Sequence, residues 1–184
     1  VVIKKIKLKS FLMIIVFCLA GCKDFGEENM VPIKYLDIEE FMGVWYVIAS
    51  IPTFLERGAI NPTENYSLNA DGTVSTKFSY LRQADGHERN FKSKGFIKKG
   101  TGNAVWGMQF LWPIKADYRI VHLSPDKRVV VIARQKRDYL WIMSREKEIN
   151  KDELAVLVNF SKDLGYDVSK IELSSWQRTL KEVI

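Results

Sequence analysis

The chain predicts an all-β domain, an eight-stranded antiparallel up-and-down barrel or a sandwich, with one α-helix outside the sheet. Three observations carry this expectation. Eight short β-like runs lie between Val44 and Ser144, separated by compact turn signals. The hydrophobic period then changes from two to that of a helix over residues 150–165. Finally, Gly43-Val44-Trp45 opens the first run, setting a backbone position without a side chain two residues before a ring large enough to plug a barrel.

The elements follow in order. Asp37-Ile38-Glu39-Glu40 has the form of a capping box and predicts one helical turn leading into Gly43. Val44–Ile51 is the first strand, ended by a loop holding Pro52 and Gly58. Asn65–Leu68 and Thr73–Leu81 flank Asn69-Ala70-Asp71-Gly72, a hairpin signal. Asp85-Gly86 leads into Arg89–Lys98, and Lys99-Gly100-Thr101-Gly102-Asn103 turns the chain into Ala104–Trp112. Beyond Pro113, Asp117–Leu123 and Arg128–Arg134 enclose the turn Ser124-Pro125-Asp126, and Asp138–Ser144 completes the series. Asn150 with Glu153 then forms a second capping box. Leu154, Leu157, Val158, Ser161 and Leu164 make one stripe, and Gly165 stands at the C-terminal stop. A short strand is expected over Lys170–Leu173. A single amphipathic helix after eight strands has to pack on the outside of the sheet.

Residues 1–21 are expected to be a signal peptide. Lys4, Lys5, Lys7 and Lys9 precede the apolar stretch Phe11 to Ala20, which is short for a membrane span. Leu19-Ala20-Gly21-Cys22 resembles the lipobox of bacterial lipoproteins, which implies cleavage before Cys22 and acylation of its sulfur and new amino terminus. Several acyl chains on one residue give stable membrane anchoring. Lys23, rather than aspartate, follows the cysteine and favours delivery to the outer membrane, on its periplasmic side. Residues 22–35 then read as a lipidated tether and 36–184 as the folded domain. Of the two cysteines, Cys18 leaves with the signal and Cys22 is lipidated, so the domain has no disulfide and relies on its core. Losing four lysines and no acids takes the formal charge from +6 to +2, which removes the main support for nucleic-acid binding.

Taken together, these features resemble the lipocalins. Tyr139-Leu140-Trp141-Ile142-Met143-Ser144-Arg145 matches the family's third region, which ends in an arginine over the tryptophan of G-x-W. The second region is matched in part: Asp126 fits, but Lys127 stands where an aromatic is usual. Phe110-Leu111-Trp112-Pro113-Ile114 with Asp117-Tyr118, and Gly165-Tyr166-Asp167, resemble the bacterial outer-membrane lipocalins, relatives of apolipoprotein D. The resemblance spans roughly residues 35–174. It implies an eight-stranded barrel with the helix outside, closed at one end by Gly43, Trp45 and Arg145. It also implies a small hydrophobic ligand, a fatty acid or lysophospholipid, held without covalent chemistry.

Within such a barrel, strand parity predicts the inner wall. With Arg145 at the base, Met143, Trp141 and Tyr139 face inward, as do Val47 and Ala49 if Trp45 does. Tyr118, Ile120 and His122 share a face, as do Trp106, Met108, Phe110 and Trp112, and Val74, Thr76, Phe78 and Tyr80. Phe91 and Gly95 complete the wall. Rings near Trp45 are expected to be packing. The candidate ligand contacts are Phe78, Trp106, Met108, Phe110, Trp112, Tyr118, Ile120, His122, Tyr139 and Trp141.

Catalytic and metal chemistry finds little to work with. The two histidines, His87 and His122, have no metal-like partners at a recognisable spacing, so neither metal nor cofactor is expected. No G-x-S-x-G, P-loop or glycine-rich dinucleotide turn occurs. Two alternatives to a binding protein stand: an enzyme on the same scaffold, for which His122 with Tyr118 is the pair to consider, or a structural lipoprotein with a filled barrel. Homodimerisation is left open.

Overall fold

The computed structural model describes residues 29–176, so the signal and lipidation expectations at 1–21 and Cys22 lie outside the described residues. A four-residue helix, α1 (Ile38–Phe41), leads into eight antiparallel strands: β1 (Gly43–Ile51), β2 (Ala59–Leu68), β3 (Val74–Arg82), β4 (Glu88–Ile97), β5 (Val105–Leu111), β6 (Ile114–Leu123), β7 (Val129–Ala133) and β8 (Leu140–Ser144). Each strand pairs with the next, β8 returns to β1, and β1 pairs with β2 through Gly43–Tyr46 against Tyr66–Thr63, so the sheet closes on itself. The expected sandwich alternative is therefore excluded. Helix α2 (Lys151–Asp163), capped by Asn150 accepting from the Glu153 N–H, packs outside. A 3-10 turn (Val168–Lys170) and β9 (Glu172–Leu173) follow.

Two cores form because every strand has two faces. The outer core joins Leu154, Leu157 and Val158 of α2 to the outward faces of β1, β7 and β8, among them Ile48, Val131, Leu140 and Ile142. The inner core holds Trp45, Tyr66, Trp106, Tyr118, Ile132 and Met143. Strand β7 is buried along its whole length because it contributes Val130 and Ile132 to the inside and Val129, Val131 and Ala133 to the outside.

β2 runs six residues further back than the Asn65 start expected from sequence. Pro62 and the positive φ of Asn61 interrupt its pattern without ending it. Past Tyr46, β2 diverges from β1, and β9 takes its place beside Ala49 and Ser50. Of the expected tether, residues 30–35 are docked on the barrel: the Ile33 N–H donates to Ile120 O, and Arg119 Nη1 donates to Met30 O.

Candidate functional site

The barrel has a sealed end and an open one. At the sealed end the Trp45 Nε1–H donates to Phe41 O at 2.9 Å, and Arg145 lies over the ring, 3.8 Å from its centroid. The guanidinium also donates to the carbonyls of Val44, Glu40, Phe41 and Met42, gathering the orphan acceptors at the end of α1. Gly43 belongs to this lock for a reason other than close approach to the ring. Its φ is +92°, a conformation that side chains resist, and a Cβ there would meet Arg145 Nη1 at 3.5 Å.

Above Trp45 an aromatic plug fills the lower half of the barrel. Phe41, Tyr66 and Trp106 pack with centroid separations of 5.3–5.8 Å, Trp106 stacks on Tyr118, and the Tyr66 and Tyr118 hydroxyls are hydrogen-bonded. Burial raises both phenols well above their ordinary range, so they stay neutral.

The upper half is open, with a mainly apolar cavity of about 480 Å³. It is bounded below by Tyr118 and Met143 and at the mouth by the 52–58 loop and the β5–β6 hairpin. A filled barrel is thereby excluded as a description of the whole interior. Six of the ten sequence-predicted contacts line the cavity: Phe78, Met108, Phe110, Tyr118, Tyr139 and Trp141. Phe110 is 58% exposed, at the lip.

Four others sit elsewhere. Trp106 and Ile120 face inward as expected but are buried in the packed base, below the cavity. Trp112 is 81% exposed at the tip of the β5–β6 hairpin, where the strand register has already broken. His122 is outside the barrel, its ring 5.5 Å from Phe160 of α2. A bulge between Ile120 and His122 inserts a residue and reverses the parity. The same correction applies to Ala49, which a bulge between Val47 and Ala49 turns into the outer core. The pair His122 and Tyr118 is consequently divided by the barrel wall.

Sequence reasoning missed two acids. Glu64, in register with Trp45 on one side and Phe78 on the other, lines the cavity, and its Oε2 is buried without a hydrogen-bond partner. Glu56, from the β1–β2 loop, also lines it and accepts from Trp141 Nε1 (3.0 Å) and the Thr53 N–H (2.7 Å). Burial, and next the Glu56 charge, push the Glu64 carboxyl up to about 8; burial raises Glu56 as well. With β2 running from Ala59, parity with Tyr66 turns Glu64 inward. Among the described residues, no group of three or more His, Cys, Asp or Glu could hold a metal, and no helix is long and apolar enough to cross a membrane.

The raised Glu64 carboxyl makes stability pH-dependent. Below about pH 4.5 both folded and unfolded chains are protonated; between 4.5 and 8 the unfolded chain releases a proton that the fold keeps. Stability is therefore expected to fall as pH rises through that window and to level off above 8. The loss should be about 2 kcal/mol, less than the full shift implies because the cavity admits water. Urea midpoints at pH 5 and 8.5 measure it, and Glu64→Gln should flatten the profile. An equal slope in that variant would assign the effect elsewhere.

A family profile described as a lipocalin-like domain matches residues 36–175. The chain is 28% identical over 156 residues to temperature-induced lipocalin-1 of Arabidopsis thaliana, covering 79% of this chain and 82% of that one. It is 27% identical over 138 residues to the outer membrane lipoprotein Blc of Escherichia coli, covering 75% and 78%. Apolipoprotein D of Macaca fascicularis is 27% identical over 155 residues, covering 80% and 78%. Among solved structures, insecticyanin from the tobacco hornworm Manduca sexta superposes with a TM-score of 0.62 at 17% identity, over 79% of this chain and 84% of that one, a likeness of fold.

Proposed function

Because the chain belongs to the lipocalin-like family, we propose that it is an envelope-anchored binding protein that stores or transports a single-chain hydrophobic ligand, a fatty acid or lysophospholipid, without covalent chemistry. The fold and the relatives support hydrophobic ligand binding. The observation that carries the proposal is the cavity itself: about 480 Å³, apolar, closed below by the aromatic plug and open at a lip of Phe54, Phe110, Leu111 and Ile114. That volume lies within the usual range for small-molecule sites, about 300–1,000 Å³. The acyl chain would occupy the space above Tyr118 and Met143, with the head at the lip. Anchoring rests on Cys22, whose lipobox-like setting and following Lys23 point to the outer membrane, periplasmic side. The lipoprotein name of the Escherichia coli relative favours the same placement.

Native mass spectrometry of protein extracted from membranes tests both halves. The expected result is a mass increment on the N-terminal peptide from acyl chains at Cys22, together with a co-purifying single-chain lipid. Ala116→Trp, which puts a ring into the cavity from β6, should abolish the co-purifying lipid while leaving the fold intact. Lipid retained by that variant would move binding to the protein surface.

A further inference from the structure

We propose that the cavity holds an amine subsite: Glu64 on its inner wall, with Glu56 reaching in from the 52–58 loop, takes the ammonium group of an amphiphilic amine whose hydrocarbon lies along Phe78 and Tyr118. The inference rests on the reading of the barrel as a ligand-binding cavity and goes beyond it: a cationic amphiphile would enter head-first and set its ammonium on Glu64, a second class of ligand beside those that keep the head at the lip.

The argument begins with an unpaired atom. Buried polar side chains nearly always find a partner, yet Glu64 Oε2 has none, and the side chain borders a cavity from which a ligand could supply it. A second carboxyl from a different element is directed at the same space. Glu56 is held there by Trp141 Nε1 and the Thr53 N–H, so its negative charge is fixed rather than free to swing away. The Glu56 charge disfavours ionisation of Glu64, and a cation held by Glu64 removes that conflict.

The remaining charged groups around the cavity are compensated locally. Asp117 is paired with Arg119 at 2.9 Å. Arg134 is paired with Asp138 at 3.3 Å and lies over the Tyr139 ring. The phenols of Tyr66 and Tyr118, which face Glu64 from β2 and β6, are neutral. Glu64 thus presents a buried carboxyl oxygen to the cavity with no partner in the protein. The faces of Phe78, Tyr118 and Trp141 in the same cavity favour a cation further. Arg134 Nε, which is also buried without a partner, is the competing anchor: it would hold a carboxylate head.

At neutral pH the ligand-free Glu64 carboxyl is protonated, so binding an ammonium ion releases that proton to solvent and leaves an ammonium–carboxylate pair. Trp fluorescence and calorimetric titrations of the lipid-freed protein with decylamine, decanol and decanoate at pH 7 read this out. Decylamine should bind about tenfold or more tighter than decanol, the scale of a buried charge-assisted hydrogen bond. Calorimetry in buffers of different ionisation enthalpy should show close to one proton released per amine and none per alcohol. In Glu64→Gln the amine-over-alcohol preference should shrink to about twofold, the scale left by cation–π contacts alone, and the proton release should vanish. The amine subsite is overturned if decylamine binds no tighter than decanol, or if Glu64→Gln keeps the preference. Decanoate binding tighter than decylamine would also overturn it and make Arg134 the anchor. If none of the three binds, the cavity-binding reading fails and takes the subsite with it.

Discussion

Trp45→Ala is expected to lower the stability of the domain by about 4 kcal/mol, the upper range for truncating a fully buried large aromatic. The ring is 1% exposed, and its removal empties the base of the barrel beneath Phe41, which packs on it at 5.1 Å. The loss goes beyond volume. Phe41 O loses the indole donor, and Arg145 loses the surface beneath its guanidinium while keeping its carbonyl contacts. Against total stabilities of about 5–15 kcal/mol, this is enough to leave the fold marginal. Urea midpoints with unchanged slope are the measurement. A loss below about 1 kcal/mol would mean that the base collapses to fill the space and that the aromatic plug does not depend on Trp45.

Gly102→Ala is expected to cost about 3 kcal/mol, although the glycine lies in a turn and is not part of any strand. Its φ is +57°, and a Cβ would come within 2.0 Å of Lys34 O and 2.8 Å of Lys34 C, both backbone atoms that cannot rotate away. The chain at 33–36 has to leave the barrel, and with it go the Leu36 N–H to Gly102 O bond and the burial of Leu36. Gly100→Ala provides the control. Its φ is +76°, but a Cβ there meets nothing within 4 Å, so it should cost only about 1 kcal/mol of backbone preference. Denaturation midpoints separate the two, and proteolysis should begin within residues 30–36 in Gly102→Ala alone. Equal losses in both variants would show that the close approach to Lys34 is unimportant.

The partition between legible and illegible features can be followed residue by residue. Turn signals located the strands because hairpin chemistry is local: Asn69-Ala70-Asp71-Gly72 joins β2 to β3 where expected, with Gly72 at φ +77°. The α2 stripe was legible for the same reason, and Leu154, Leu157, Val158 and Ser161 are all buried. Parity placed Phe78, Met108, Tyr118 and Trp141 on the cavity wall. It failed at Ala49 and His122, each just beyond a bulge. Counting by two carries no information about where a closing sheet must insert a residue. Glu64 escaped because Pro62 and Asn61 hid the first half of β2.

Trp106 and Ile120 illustrate the other boundary: they face inward as alternation requires, but whether an inward ring lines a space or fills it depends on its depth along the barrel axis. The amino-acid sequence by itself determined the succession of strands, the late helix and the partnership of Gly43 and Trp45 with Arg145, since these rest on periodicity, turn residues and a family-wide spacing. Only the tertiary structure decided how high the aromatic plug rises, which face follows each bulge, and that two carboxyls from separate elements share one cavity. Those outcomes depend on closure and on the packing of side chains distant in sequence, where no local pattern reaches.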